Sequence, residues 1–323
     1  MRVNPAGPEG RGASPGGTIW GAGAAVTATV VWGLSGVLVV LTSQPPLVAA
    51  LERLWLGVPM VAALLMASGR RLYWPLLWRC LPGGILLCGD IALFFCAVKF
   101  TSIADATMIG ALQPVLILFI AKPLFNEQVR PADMAWTAVV IVGMAAVVLG
   151  QDRAVGHHEV LGDLFAAGAL CCWTAYWLVS KRARAVPQIS QPGQAGTDSS
   201  VGSIEYTAGV MLVAALAIVP VTLLSRERVT AGTAQDWLWL SLLALLPGLA
   251  HLLSNWAHRF LDISVSAVIV SVNPVIAAGA AAAVLHQSLD SWQAAGGLVA
   301  LFGVVMVARR AAGLKPVKQA ISA

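Results

Sequence analysis

The chain has 323 residues, 58% of them hydrophobic and only 11% charged, with a mean hydropathy of +0.80 and a formal net charge of +5. A soluble domain carries about 25% charged residues, and so few charges cannot cover this much apolar surface in water. No basic stripe alternates with aromatics, so the positive balance reads as orientation signals in loops and not as a nucleic-acid footprint.

Residues 1–17, rich in Pro and Gly, are expected to form a disordered cytoplasmic tail. Ten apolar runs follow, each near the roughly 20 residues that cross a bilayer. The first half holds Ile19–Leu41, Leu47–Ala67, Leu81–Val98, Ile103–Phe125 and Met134–Leu149. The second holds Val160–Val179, Ile204–Leu224, Trp237–Phe260, Ile263–Leu285 and Trp292–Ala308. All are long, non-alternating and rich in Ala and Leu, which favours helices over the alternating strands of about ten residues in outer-membrane barrels. Residues 311–323 read as a second cytoplasmic tail. The five cysteines form no CxxC pair and imply neither a disulfide framework nor a zinc site.

With the N-terminus inside, 15 of the 20 Lys and Arg fall on the cytoplasmic side, 4 on the outer side, and Arg53 within a span. The positive-inside rule then places both termini in the cytoplasm.

The sequence repeats itself. Phe100–Leu116 and Phe260–Ile276 share Phe, Ile, Ile, Pro and Val at an offset of 160, and the register continues to Gly143 and Gly303. Gly57–Leu64 resembles Gly209–Leu216 at an offset of 152, and Trp32 matches Trp173 at 141. Five spans per copy is an odd number, so the second copy enters the membrane from the opposite side. The expected fold is an all-α integral membrane protein of two inverted five-helix repeats, 18–150 and 160–310.

Ionisable side chains within spans point to function, because each costs about 2.5–3.5 kcal/mol at mid-membrane on insertion scales. Asp90, in the third span, is the leading candidate for a substrate or proton site. Arg53 matches Glu205 at the 152 offset, so a charge pair across the halves is one reading, and a solvated Glu205 the other. Asp105 sits near the outer surface, where snorkelling would account for it. Pro114 beside Gln113, and Pro274 beside Asn273, predict kinks with exposed polar groups at half depth and serve as hinge candidates. Trp32, Ser35, Trp173 and Tyr176 share matching faces of the first and sixth spans. His251 and Asn255 lie one turn apart on the eighth, with His258 on a similar face. No Walker A, nucleophile elbow or zincin motif is present, and no cofactor or metal is expected.

These features resemble the drug/metabolite transporter superfamily and its ten-helix EamA-type members. Trp32–Gly33, Arg53, Gly89, Pro114, Glu127 and Gly143 follow the family pattern in the first repeat, and Trp173, Pro274 and Gly303 in the second. Gln287, Glu205 and Thr174 depart from it. The resemblance implies a bacterial plasma-membrane carrier, often an exporter of metabolites or drugs. The expected partners are a small-molecule substrate, a proton as coupling ion, and lipid. The alternatives are an intramembrane enzyme on a lipid-linked substrate and a transport-inactive scaffold or sensor.

Overall fold

In a computed structural model, the described residues are 15–101, 106, 109–125, 130–149, 160–185, 202–229, 231–285 and 291–313. They form helices α1 (Pro15–Leu41), α2 (Pro46–Ala67), α3 (Trp74–Phe100), α4 (Gln113–Phe125), α5 (Pro131–Leu149) and α6 (Val160–Ala185). Then come α7 (Ser203–Ser225), α8 (Ala234–Ala257), α9 (Ile263–Val270), α10 (Asn273–Leu285) and α11 (Ser291–Gly313). Among the described residues, seven stretches are long and apolar enough to cross a membrane, and Pro131–Ala146 and Ala294–Val307 are shorter apolar helices. Asp105, Glu127 and Gln287 lie outside the described residues, as do most of both tails.

The helix ends follow local chemistry. Gly69, at φ +67°, ends α2 in the left-handed region that favours glycine. Thr233 caps α8, its hydroxyl accepting from the Asp236 N–H while the Asp236 carboxylate accepts from the Thr233 N–H. The third helix starts at Trp74, earlier than expected, because Pro75 opens its first turn and Pro82 is tolerated inside it. Arg79 is therefore helical.

The fourth and ninth spans break where kinks were expected. Ala111–Leu112 and Ser271–Val272 are turns, after which α4 starts at Gln113 and α10 at Asn273. Proline lacks the N–H that would carry a ladder through this point, so Pro114 and Pro274 open new helices.

Packing follows the sequence repeat. α3 lies on α6 and α7, α1 on α8 and α10, α2 on α7 and α8, and α5 on α11. Exchanging α1 with α6 and α3 with α8 turns the α3–α6 contact into the α8–α1 contact. A Cβ on Gly143 would lie 2.5 Å from the Ala300 nitrogen and 2.7 Å from the Gly296 oxygen. A Cβ on Gly303 would lie 2.7 Å from Val140 and 3.4 Å from the Trp136 oxygen. As α5 runs from 140 to 143 its neighbour runs from 303 to 300, so the two helices are antiparallel. Asp133, near the start of α5, agrees: it pairs with Arg310, near the end of α11, at 3.0 Å.

The outer surface is apolar. Trp20, Trp74, Leu223, Leu224, Trp292 and Leu298 are all exposed. A patch this broad suits lipid, with Trp near the helix ends as interfacial anchors.

Candidate functional site

One cavity of about 190 Å³ lies among α1, α2, α3, α6, α8 and the two broken helices. Trp32, Ser35, Arg53, Asp90, Gln113, Trp173, His251 and Asn273 all line it, as does Pro274. Val39, Phe94, Phe95, Val98 and Leu170 supply apolar wall. Pro114 is buried behind Gln113 and is not part of the lining.

Arg53 and Asp90 are the charges of this cavity and lie within electrostatic reach of each other. Neither makes a hydrogen bond or an ion pair within 4 Å among the described residues. Arg53 instead holds its guanidinium 5.7 Å from the Phe95 ring centroid, a cation–π placement that keeps it extended into the cavity. The Glu205 partner considered from the repeat does not form. Glu205 is buried, not solvated, and binds Arg70 at 2.6 and 2.7 Å. It opens α7 at the membrane edge, whereas Arg53 sits a turn and a half into α2, so the two are too far apart in depth to meet. Glu52 points away from Arg53, into the field of Asp236.

At one end the cavity stops on an aromatic layer. The Trp32 ring meets Trp173 edge-on at 5.1 Å and His251 at 5.3 Å, and Trp173 meets His251 at 5.5 Å. Tyr176 stacks on Trp173 at 5.5 Å and approaches His251 at 5.8 Å. Such pairs contribute about 0.5–1.5 kcal/mol each beyond area burial.

Tyr176 and Asn255 are not in the cavity lining. Tyr176 ties the aromatic layer to a buried network that joins α6, α7 and α8 and includes Asn255. Asn255 Nδ2 donates to the Tyr176 hydroxyl at 3.2 Å and to Thr207 Oγ1 at 3.0 Å. Arg184 is its centre. Arg184 Nε donates to the Ser180 carbonyl at 3.0 Å, one Nη donates to the Asn255 carbonyl, and the other faces His258 Nδ1 at 3.3 Å. The Tyr206 hydroxyl donates to Ser180 Oγ at 3.0 Å, and His258 packs on Trp177 at 4.5 Å. His258, about two turns beyond His251, therefore belongs to this network and not to the cavity lining. Sequence reasoning counted Arg184 only as an orientation charge, although its spacing of four from Ser180 would have placed both on one helix face.

The opposite end is held by loop contacts. The Asp236 carboxylate accepts from Ser43 N at 2.9 Å. Glu227 accepts from Leu47 N at 3.0 Å and Val48 N at 3.2 Å, capping α2.

An apolar exterior, helices of membrane-spanning length and a cavity among them that carries charged and aromatic side chains define a multi-pass membrane protein. The sequence model of the EamA-like transporter family matches residues 19–149 and again 160–309. The chain belongs to that family. It is 33% identical over 118 residues to the "Aromatic amino acid exporter YddG" of Ancylobacter novellus, a stretch covering 35% of this chain and 39% of that relative's length. A solved crystal structure, 22% identical, superposes over 91% of this chain and 98% of its own with a TM-score of 0.72. At that identity the likeness establishes the fold.

Proposed function

We propose that the protein is a secondary carrier that exports small amphipathic metabolites across the bacterial plasma membrane by alternating access. The observation that carries this reading is a pair of opposite charges, Arg53 and Asp90, that line a cavity between the helices and have no ion-pair partner among the described residues. Burying charges without partners is costly, and in a membrane protein such groups mark a substrate or ion path. Arg53 and Asp90 suit a cargo with both signs of charge, and the aromatic layer suits an apolar body. The exporter that this chain partly matches makes aromatic amino acids the first cargo to test.

Two inverted five-helix halves, 18–150 and 160–310, account for the antiparallel, reciprocal packing of α5 and α11 and for the double family match. With both termini inside, the cavity reaches from half depth toward the outer ends, past Val39, Val98 and Ala106. The Arg184 network then seals the inner side, and the halves rock about Pro114 and Pro274. Asp90 is the group placed to exchange a proton with the cargo.

The test is flux. Purified protein in proteoliposomes should move radiolabelled phenylalanine or tryptophan down its gradient, faster with an imposed pH gradient. Protein-dependent flux of no solute across a panel of amino acids, nucleosides and dyes would contradict the carrier reading and favour a scaffold.

A further inference from the structure

Building on the carrier reading, we propose that the two helix breaks form one anion subsite that takes a carboxylate of the cargo, and that Gln113 selects for it. The start of a helix carries partial positive charge and unused N–H donors. Here two helices of 13 residues, α4 and α10, start inside the membrane at repeat-related positions. Pro114 and Pro274 follow immediately and have no N–H, and the next N–H groups are already used, Val115 and Leu116 donating to the Leu112 carbonyl and Val275 and Ile276 to the Val272 carbonyl. The donors at each start must therefore come largely from the preceding residue's side chain, which is Gln113 in one half and Asn273 in the other. Both line the cavity.

An independent observation points to a ligand. Gln113 is only 2% exposed, and its amide Nε2 is buried with no acceptor among the described residues. Buried amide donors almost always have a partner. Gln113 is part of the cavity lining, so the acceptor this amide lacks is one that cargo entering there brings. The Asn273 side-chain amide also makes no hydrogen bond to a described residue. Ser271, at the same break, spends its hydroxyl on the Val268 carbonyl at 2.8 Å and adds no donor.

Two amide donors, two helix starts and Arg53 favour an acceptor with negative charge. Asp90 in the same cavity opposes a dianion such as phosphate and favours a cargo whose single carboxylate lies beside a cationic or neutral group. A planar carboxylate has two oxygens and can accept from both breaks at once. That geometry also links the subsite to movement, because a group held by both halves feels their separation when they rock.

The probes are 3-phenylpropionate, L-phenylalanine, L-phenylalaninamide and acetate, titrated into the full chain in nanodiscs with tryptophan fluorescence as readout. The intact protein should bind the two aromatic carboxylates about tenfold or more tighter than the amide. Acetate should not compete, which separates a cargo carboxylate from a free small anion. Gln113→Leu, which removes the orphan donor at similar volume, should cut the acid-over-amide preference to about threefold or less. Asn273→Leu should do the same more weakly, and it stands in if Gln113→Leu fails to fold. The proposal is overturned if the intact protein treats acid and amide alike, or if the variants weaken all ligands equally. Acid-selective binding without flux in proteoliposomes would sink the carrier reading while leaving the subsite standing.

Discussion

Gly143 and Gly303 each face the helix that carries the other, and each meets the repeat mates of the other's neighbours: Ala300 and Gly296 for one, Val140 and Trp136 for the other. This two-way contact is the pattern expected if a twofold axis passes between α5 and α11. Glycine is required because the backbones approach too closely for a side chain.

The two glycines should not tolerate change equally. A Cβ on Gly143 meets backbone on both sides, at 2.5 and 2.7 Å, whereas a Cβ on Gly303 first meets the Val140 side chain. Backbone cannot yield as a methyl can. Gly143→Ala should therefore lose about 1–3 kcal/mol of stability and Gly303→Ala less. Thermal unfolding of both variants in detergent checks the order.

Asp90→Asn should leave insertion and folding intact while abolishing pH-driven transport or uncoupling it from the gradient. Arg53→Gln should instead weaken cargo binding by about 10-fold to 100-fold, the effect of one lost charge-assisted hydrogen bond. Flux across an imposed pH gradient, with binding measured separately, distinguishes the two. Full coupled activity in Asp90→Asn would refute its role.

Arg184→Leu removes the hub of the inner network and leaves the Asn255 carbonyl and His258 without it. Stability should drop by about 2–4 kcal/mol, and the cavity should open inward. A Ser35→Cys probe in a background without the natural cysteines should then react with an impermeant thiol reagent applied from the cytoplasmic side, which it should not do with Arg184 present. Unchanged labelling would remove the network from the gating account.

The Arg70–Glu205 pair is short at 2.6 Å, but the Arg70 side chain is 46% exposed. A double-mutant cycle should find no more than about 1 kcal/mol of coupling.

Much of the fold was legible because apolar run length and the repeat are properties of the chain itself. The break at Ser271–Val272 was readable from Pro274, since a missing N–H acts locally. The meeting of Arg53, Asp90 and His251 in one cavity was suggested only by the cost of placing such groups in a membrane. What could not be read was partner choice. Arg53 lies within α2 and Arg70 just beyond its end, and only the relative depth of α7 decides that Glu205 takes Arg70. Tyr176 and Asn255 share helix faces with cavity residues, but lie a turn deeper, where the convergence of three helix ends recruits them into the Arg184 network. Depth and convergence come from tertiary packing, which periodicity in one chain does not encode.

The central claim is that the two halves lie inverted in the membrane around one polar cavity. The most direct measurement places Lys99→Cys and Arg259→Cys, in a background without the natural cysteines, against an impermeant thiol reagent. Labelling of Lys99→Cys from outside in intact cells, and of Arg259→Cys only in inside-out vesicles, is the predicted result. Labelling of both from the same side would contradict it.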